Sequence, residues 1–342
     1  MSTIFDHANL AAWEVIPYDH PGRTARERAE LFRRLGFGRY AYLSEIGRWV
    51  EPSLTRAEVR RDAETEIAAM QEAGIDLSAW YFWLDDEDRL EDDVEFRPTL
   101  EAIAAAGLSP QIWVAQAHRR GPRPDRWVSY LPPGVSPTSD TDDLHVRNAI
   151  ARAAVEDLPT DAAAYDARVA REAYRIASVR AIAAQYGCRV HIYNHCDWFG
   201  RVENELEILA ALGRAGIDDV GLVYNFSHAW DGFHDDRPYF AELWNRMREH
   251  VVAVNVTGME WDGEPVVYPS EGHGELEMLR TIAASGWEGP LGLLQQRFGD
   301  AEEILANDVR GLDWLAGEIA EPGSAGPRPA LTTAPRPEWA VW

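Results

Sequence analysis

The chain has 342 residues, enough for two small domains or one large α/β unit, and its apolar fraction of 46% is that of a globular protein with a sizeable core. Lys plus Arg number 33 against 57 Asp plus Glu, a net charge of −24 that repels phosphate backbones and anionic lipid, so neither nucleic acid nor a membrane surface is an expected partner. No apolar stretch is long enough to span a bilayer, and the first residues lack the basic and apolar runs of a secretory signal, so a cytoplasmic location is expected. The two cysteines, Cys188 and Cys196, flank one strand that holds them too far apart to bond, so no disulfide framework is expected.

Leu10–Tyr18 reads as a first strand with Glu14 out of place inside it. Thr24 caps a helix that Gly36 stops. Arg39–Ser44 is a second strand, and Thr55 caps a helix running to Ala73. Leu77–Leu84 is a third strand, rich in aromatics, with a solvated acidic loop behind it. The helix Phe96–Ala106 and the strand Pro110–Gln116 follow. From Arg119 to Thr160 the chain is rich in Pro, Gly, Ser and Asp, the composition of a long lid or binding loop rather than of a core element. Asp161 then caps a helix that ends before Gly187.

His191–Asn194 is a fifth strand, in which alternation puts His191, Tyr193 and His195 on one face and Ile192 and Asn194 on the other. Polar, reactive side chains on one strand face suit the mouth of a barrel better than a packed sheet. The helix Glu203–Leu212, the strand Asp219–Asn225, a loop with His228, the helix Pro238–Glu249 and the strand His250–Thr257 continue the rhythm. A loop bearing Glu271 and His273, the helix Glu275–Ser285, the strand Pro290–Gln296 and the helix Asp300–Ala316 complete it. Eight βα units in alternation predict a closed (β/α)8 TIM barrel over 1–318, with a long insertion (119–160) after strand 4 and a Pro/Ala-rich tail over 319–342. No Gly-rich phosphate fingerprint follows the first strand, which argues against an open dinucleotide-binding sheet.

The stretches HIYNHCDWFGRVEN, VGLVYNFSH, VAVNVTGM, EGHGE and GWEGPLGLL, with LAAWEVIPYD and GRYAYLSE at the start, resemble the xylose isomerase-like TIM-barrel superfamily. This is the group of sugar phosphate isomerases/epimerases and family 2 AP endonucleases. The resemblance covers about residues 10–317. It implies a divalent metal held by Glu, Asp, His and Glu at the ends of strands five to eight. Those slots align here with Tyr193, Asn225, Asn255 and approximately Leu294, so the chain resembles a branch without the usual ligands. The histidines after the fifth- and sixth-strand slots are kept as His195 and His228.

The reaction implied is isomerisation or epimerisation of a carbohydrate or keto-sugar by proton abstraction next to a carbonyl. It needs a base near neutral pKa and a group to hold the enolate oxygen. His195 and His228 are the acid–base candidates and Tyr193 the oxyanion donor, with Glu14, Glu271 and His273 in reserve. Asn194, Asn225, Asn255, His273 and Gln296 are candidates for the sugar hydroxyls, and Trp83, Trp113 and Trp198 for stacking on the ring. No bound metal or other cofactor is expected from this set. The alternatives are a non-catalytic carbohydrate-binding barrel, a 3-keto-glycoside lyase or hydratase, or a metal enzyme with ligands redrawn from His191, His195, His228, His273 and Glu271. No Lys/Arg cluster marks a phosphate site; Arg201 and Arg297 are the mouth-facing cations it offers. Barrels of this group often pair, so a homodimer is a further expectation.

Overall fold

The computed structural model describes residues 3–16, 19, 21–43, 55–85, 95–117, 161–195, 198–229, 235–259, 266–294, 297 and 299–331. The expected lid over 119–160, Gln296, Cys196 and the terminal Trp-Ala-Val-Trp lie outside these residues.

Eight parallel strands close a barrel. They are β1 (Leu10–Trp13), β2 (Arg39–Leu43), β3 (Asp76–Asp85), β4 (Gln111–Ala117), β5 (Arg189–Tyr193), β6 (Gly221–Asn225), β7 (Val251–Val256) and, after a small hairpin, β10 (Leu291–Leu294). β1 pairs with both β2 and β10, which shuts the ring and leaves no edge strand. The helices between strands are α1 (Ala25–Leu35), α2 (Arg56–Ala73), α3 (Phe96–Ala105), α4 (Ala162–Ala183), α5 (Val202–Arg214), α6 (Phe240–Met247), α7 (Glu275–Ala284) and α8 (Ala301–Ala320). The (β/α)8 TIM barrel read from the sequence is thus the observed fold.

Local chemistry explains most of these boundaries. Thr24 and Thr55 each accept the N3 backbone N–H while Glu27 and Glu58 reach back, two complete capping boxes. Gly36 and Gly74 close the same helices in the left-handed region at φ 83° and 71°, where a Cβ would be strained. Alternation divides each strand between two cores. Ile112, Ile192 and Leu222 face the helices, whereas Trp13, Tyr81, Trp113, Tyr193 and Val223 fill the barrel.

Three features differ from the sequence reading. The first strand stops at Trp13 instead of Tyr18, because Glu14 takes a left-handed conformation at φ 56° that breaks the extended chain. An antiparallel hairpin of β8 (Gly258–Met259) and β9 (Val266–Val267) follows β7 and was not expected, since strands of two residues carry no periodicity. The last helix continues to Ala320, and the chain after it folds back: Gly326 carbonyl accepts from Trp314 Nε1 (3.1 Å) and Leu331 N–H donates to Glu271 Oε1 (3.2 Å). No helix among the described residues is long and apolar enough to cross a membrane.

Left-handed backbone at a non-glycine residue costs about 1–2 kcal/mol. Glu14→Gly is therefore expected to raise the unfolding free energy by about 1 kcal/mol in urea titration. A fall instead would show that contacts of the carboxylate outweigh the backbone strain.

Candidate active site at the barrel mouth

The site forms where β5 ends. After Tyr193 the chain turns tightly, with His195 N–H donating to Tyr193 carbonyl (2.6 Å), which ends the strand and turns His195 out of the ladder. Gly200 packs against the His195 carbonyl so closely that any Cβ would collide with it. On the next strand the Asn225 side chain accepts from Ser227 N–H (3.0 Å) and starts the short 3-10 turn Phe226–His228, which carries His228 to the same place.

The two imidazoles lie together, with ring centroids 4.3 Å apart. Trp83, at the end of β3, meets His195 edge to face at 4.2 Å, and the Tyr193 ring is 6.0 Å from that of His228. His195, His228, Tyr193 and Trp83 thus form one cluster drawn from β3, β5 and β6. It lies at the C-terminal end of the strands, where barrel enzymes build their sites.

The Tyr193 hydroxyl gathers three hydrogen bonds. It accepts from Asn225 Nδ2 (2.6 Å), Trp13 Nε1 (3.0 Å) and Asn255 Nδ2 (3.3 Å). Burial, and then the nearby Glu14 carboxylate, push the phenol above its usual range, while the three N–H donors pull the other way. Burial dominates, so the phenol keeps its proton near neutrality.

The other expected site residues fall in different places. Asn194 is buried and fully used: its Oδ1 accepts from Asn225 N–H (2.6 Å) and its Nδ2 donates to Asn225 carbonyl (3.3 Å). It extends the β5–β6 ladder by side chain and does not present its amide to the mouth. Trp113 lies lower in the barrel, 3% exposed, with its ring against Trp13 and Tyr193 and its Nε1 on Gln111 Oε1 (2.8 Å). Trp198 packs outside the barrel against Tyr165, with the Arg168 guanidinium over its ring at 4.5 Å. Neither indole offers the open face that stacking on a sugar needs. His273 belongs to the β9–α7 loop, where its N–H donates to Met259 carbonyl and its carbonyl accepts from Arg237 Nη1 (3.0 Å). Arg297 is spent on Asp308, on Val267 carbonyl and on the Tyr268 ring, so it is not a phosphate cation.

Trp13 was missed by the sequence reading. It ends β1, as Trp83 lies two residues from the end of β3, and that position was the available signal. Gly292 was missed as well. It sits beside Asn255 in the β7–β10 register, and a Cβ there would collide with Asn255 Oδ1. Gly292→Ala is expected to cost about 1–3 kcal/mol by overpacking. In an Asn255→Ala background the same change becomes nearly neutral, a coupling that urea midpoints of the double-mutant cycle measure. An equal cost in both backgrounds would dismiss the steric account.

The metal that the resemblance implies does not fit these residues. Of the four slots, Tyr193 has its oxygen surrounded by N–H donors, Asn225 Oδ1 is committed to Ser227 and Leu294 offers no donor, which leaves the single neutral amide oxygen of Asn255, too little to hold a divalent ion. His191 turns its Nδ1 to Gly221 N–H (2.9 Å), and burial lowers its pKa to about 4. Among the described residues no three His, Cys, Asp or Glu side chains converge as metal ligands would.

No family profile and no curated protein matches the sequence. Solved structures match its fold throughout. The 3-keto-D-glucoside 4-epimerase of E. coli superposes with a TM-score of 0.56 at 16% identity, over 90% of this chain and 99% of that one. A D-tagatose 3-epimerase-like protein gives 0.57 at 12% identity, over 91% and 99%. A xylose isomerase-like TIM barrel protein from Mycobacterium smegmatis in complex with magnesium gives 0.55 at 13% identity, over 92% and 98%. At these identities the likeness establishes the fold.

Proposed function

We propose that this xylose isomerase-like barrel is an enzyme acting on a small carbohydrate or keto-sugar. It moves a proton at a carbon next to a carbonyl, as an isomerase or epimerase does. The observation that carries this reading is the His195–His228 pair, two imidazoles 4.3 Å apart at the barrel mouth with Trp83 and Tyr193 beside them.

Imidazole is the side chain whose ordinary pKa best suits proton transfer near neutral pH. Two adjacent rings supply one group to take a proton from carbon and another to return it. The chain contains no lysine, so no lysine side chain serves as an amine base or forms a Schiff base. One epimerase among the fold neighbours acts, by its name, on a 3-keto-glucoside, a compound with an acidic carbon–hydrogen bond beside its carbonyl.

The test is exchange with solvent. The protein is incubated in D2O with ketoses and 3-keto-glucosides, and deuterium at the carbon beside the carbonyl is read by NMR. Exchange with at least one of them is expected. Saturable binding without exchange would instead establish a carbohydrate-binding barrel.

A further inference from the structure

Next to the two histidines, the ends of β5 and β6 are joined by a side chain where main chain would be expected. Asn194 N–H donates to Val223 carbonyl (3.2 Å), as a parallel ladder requires. The next two bonds of such a ladder would come from the Asn194 carbonyl and from the N–H two residues further along, both meeting Asn225. The Asn194 amide supplies both. Its Oδ1 accepts from Asn225 N–H (2.6 Å) and its Nδ2 donates to Asn225 carbonyl (3.3 Å). These two main-chain partners fix which end of the amide is oxygen, because an N–H needs an acceptor and a carbonyl needs a donor.

The main chain of β5 is thereby released while its last rung is kept. His195 N–H turns back to Tyr193 carbonyl (2.6 Å) and the chain bends there. Asn225 stays extended, at φ −110° and ψ 125°, and its own Oδ1 starts the turn Phe226–His228 through Ser227 N–H (3.0 Å). Both imidazoles therefore hang from one pair of residues. His195 follows Asn194 directly, and His228 follows Asn225 by one short turn. Asn194 and Asn225 are buried, so water does not compete for the bonds between them.

We propose that Asn194 is the positioning residue of the imidazole pair: its amide pins the end of β5 to the end of β6 and so fixes the ring separation of His195 and His228 at 4.3 Å. Its importance for turnover rests on the proton-abstraction reading above, in which one ring takes a proton from carbon and the other returns it. The separation then sets where each ring meets the substrate, and a displacement of about 1 Å costs about 100-fold in rate. Asn194 acts through the histidines and does not touch the sugar, so substrate binding is spared.

The ring separation can be read without any substrate. With histidine labelled by carbon-13 and nitrogen-15, His195 and His228 of the wild-type protein are expected to share a nuclear Overhauser cross-peak between their rings. Asn194→Ala, which lacks both polar atoms, is expected to lose it. Asn194→Ser, too short to meet both Asn225 atoms, is expected to lose it as well and serves where the alanine variant does not fold. Ile192→Ala truncates a β5 side chain that faces the helices, and it is expected to keep the cross-peak despite a lower urea midpoint. A cross-peak that is absent from the wild type, kept in the Asn194 variants or lost equally in Ile192→Ala overturns the proposal. On a ketose or 3-keto-glucoside that exchanges with the wild type, Asn194→Ala is expected to lower kcat by about 100-fold with KM unchanged. Wild-type kcat in that variant overturns the proposal and leaves the proton-abstraction reading standing. Absence of exchange by the wild type overturns the reading beneath, while the cross-peak still decides whether Asn194 sets the pair.

Discussion

His228→Ala is expected to lower kcat for the exchanging sugar by about 100- to 10,000-fold, the usual worth of a general acid or base. His228 is the cleaner of the two histidines to remove. It is half-buried at the end of a three-residue turn whose cap, Asn225 Oδ1 on Ser227 N–H, does not involve the imidazole. Truncation leaves the turn, the Asn194 clamp and the Tyr193 hydrogen bonds in place. His195 is more deeply buried, in contact with Trp83, so its removal also opens a cavity. The check is kcat and KM for His228→Ala beside its urea midpoint. Lost turnover with stability and KM within twofold is the catalytic outcome. Turnover kept at the wild-type level would remove the imidazole pair from the mechanism.

Stability of the wild-type protein is expected to fall relative to Glu275→Gln as pH rises from about 4.5 to above 7, by about 3 kcal/mol in all. Glu275 begins α7 and is buried, with Oε1 accepting from Gly272 N–H (2.9 Å). Burial raises its pKa to about 7, against the opposing pull of the Gly272 hydrogen bond and of Arg328 and Arg237. The unfolded chain releases this proton near the ordinary carboxylate value, whereas the folded chain keeps it until about pH 7. Across that window the folded state binds more protons, so its advantage is complete below the unfolded pKa and is lost as pH rises through the folded one. Glutamine keeps the acceptor for Gly272 and cannot ionise. Urea unfolding of both proteins at pH 5 and pH 8 measures the effect. Parallel behaviour of the two would mean that Glu275 is already ionised at pH 5. Because this carboxyl anchors the loop that carries His273 and the Leu331 contact of Glu271, the same titration is expected to loosen one rim of the barrel mouth.

Much of the molecule was legible in its residues because it is decided by neighbours in sequence. Thr24 with Glu27, and Thr55 with Glu58, announce helix starts, and Gly36 and Gly74 announce helix ends, since capping involves residues three or four apart. Alternation placed Tyr193 on the face that turned out to line the barrel, and Ile192 on the face that meets the helices. The order of eight βα units then left little choice but a closed barrel. His195 and His228 were legible too, as histidines just past two strand ends.

The tertiary structure decided what those side chains meet. Alternation gives the face of a strand but not the height of a residue inside the barrel, which depends on how neighbouring strands are staggered. Trp83 and Trp113 look alike in sequence, yet the stagger sets one against His195 and the other deep against Trp13. Asn194 reads as a sugar ligand until the Asn225 backbone is found within reach of both its polar atoms. Trp13 reaches Tyr193 across 180 positions of chain, and Gly292 makes room for Asn255 from an adjacent strand. The left-handed turn at Glu14 is set by packing and not by propensity, which disfavours glutamate there. The sequence by itself determined a barrel with a polar mouth and two histidines at its rim. Ring closure alone brought three N–H groups from three strands onto one phenol oxygen, because contacts between distant strands are fixed by register, which no local pattern encodes.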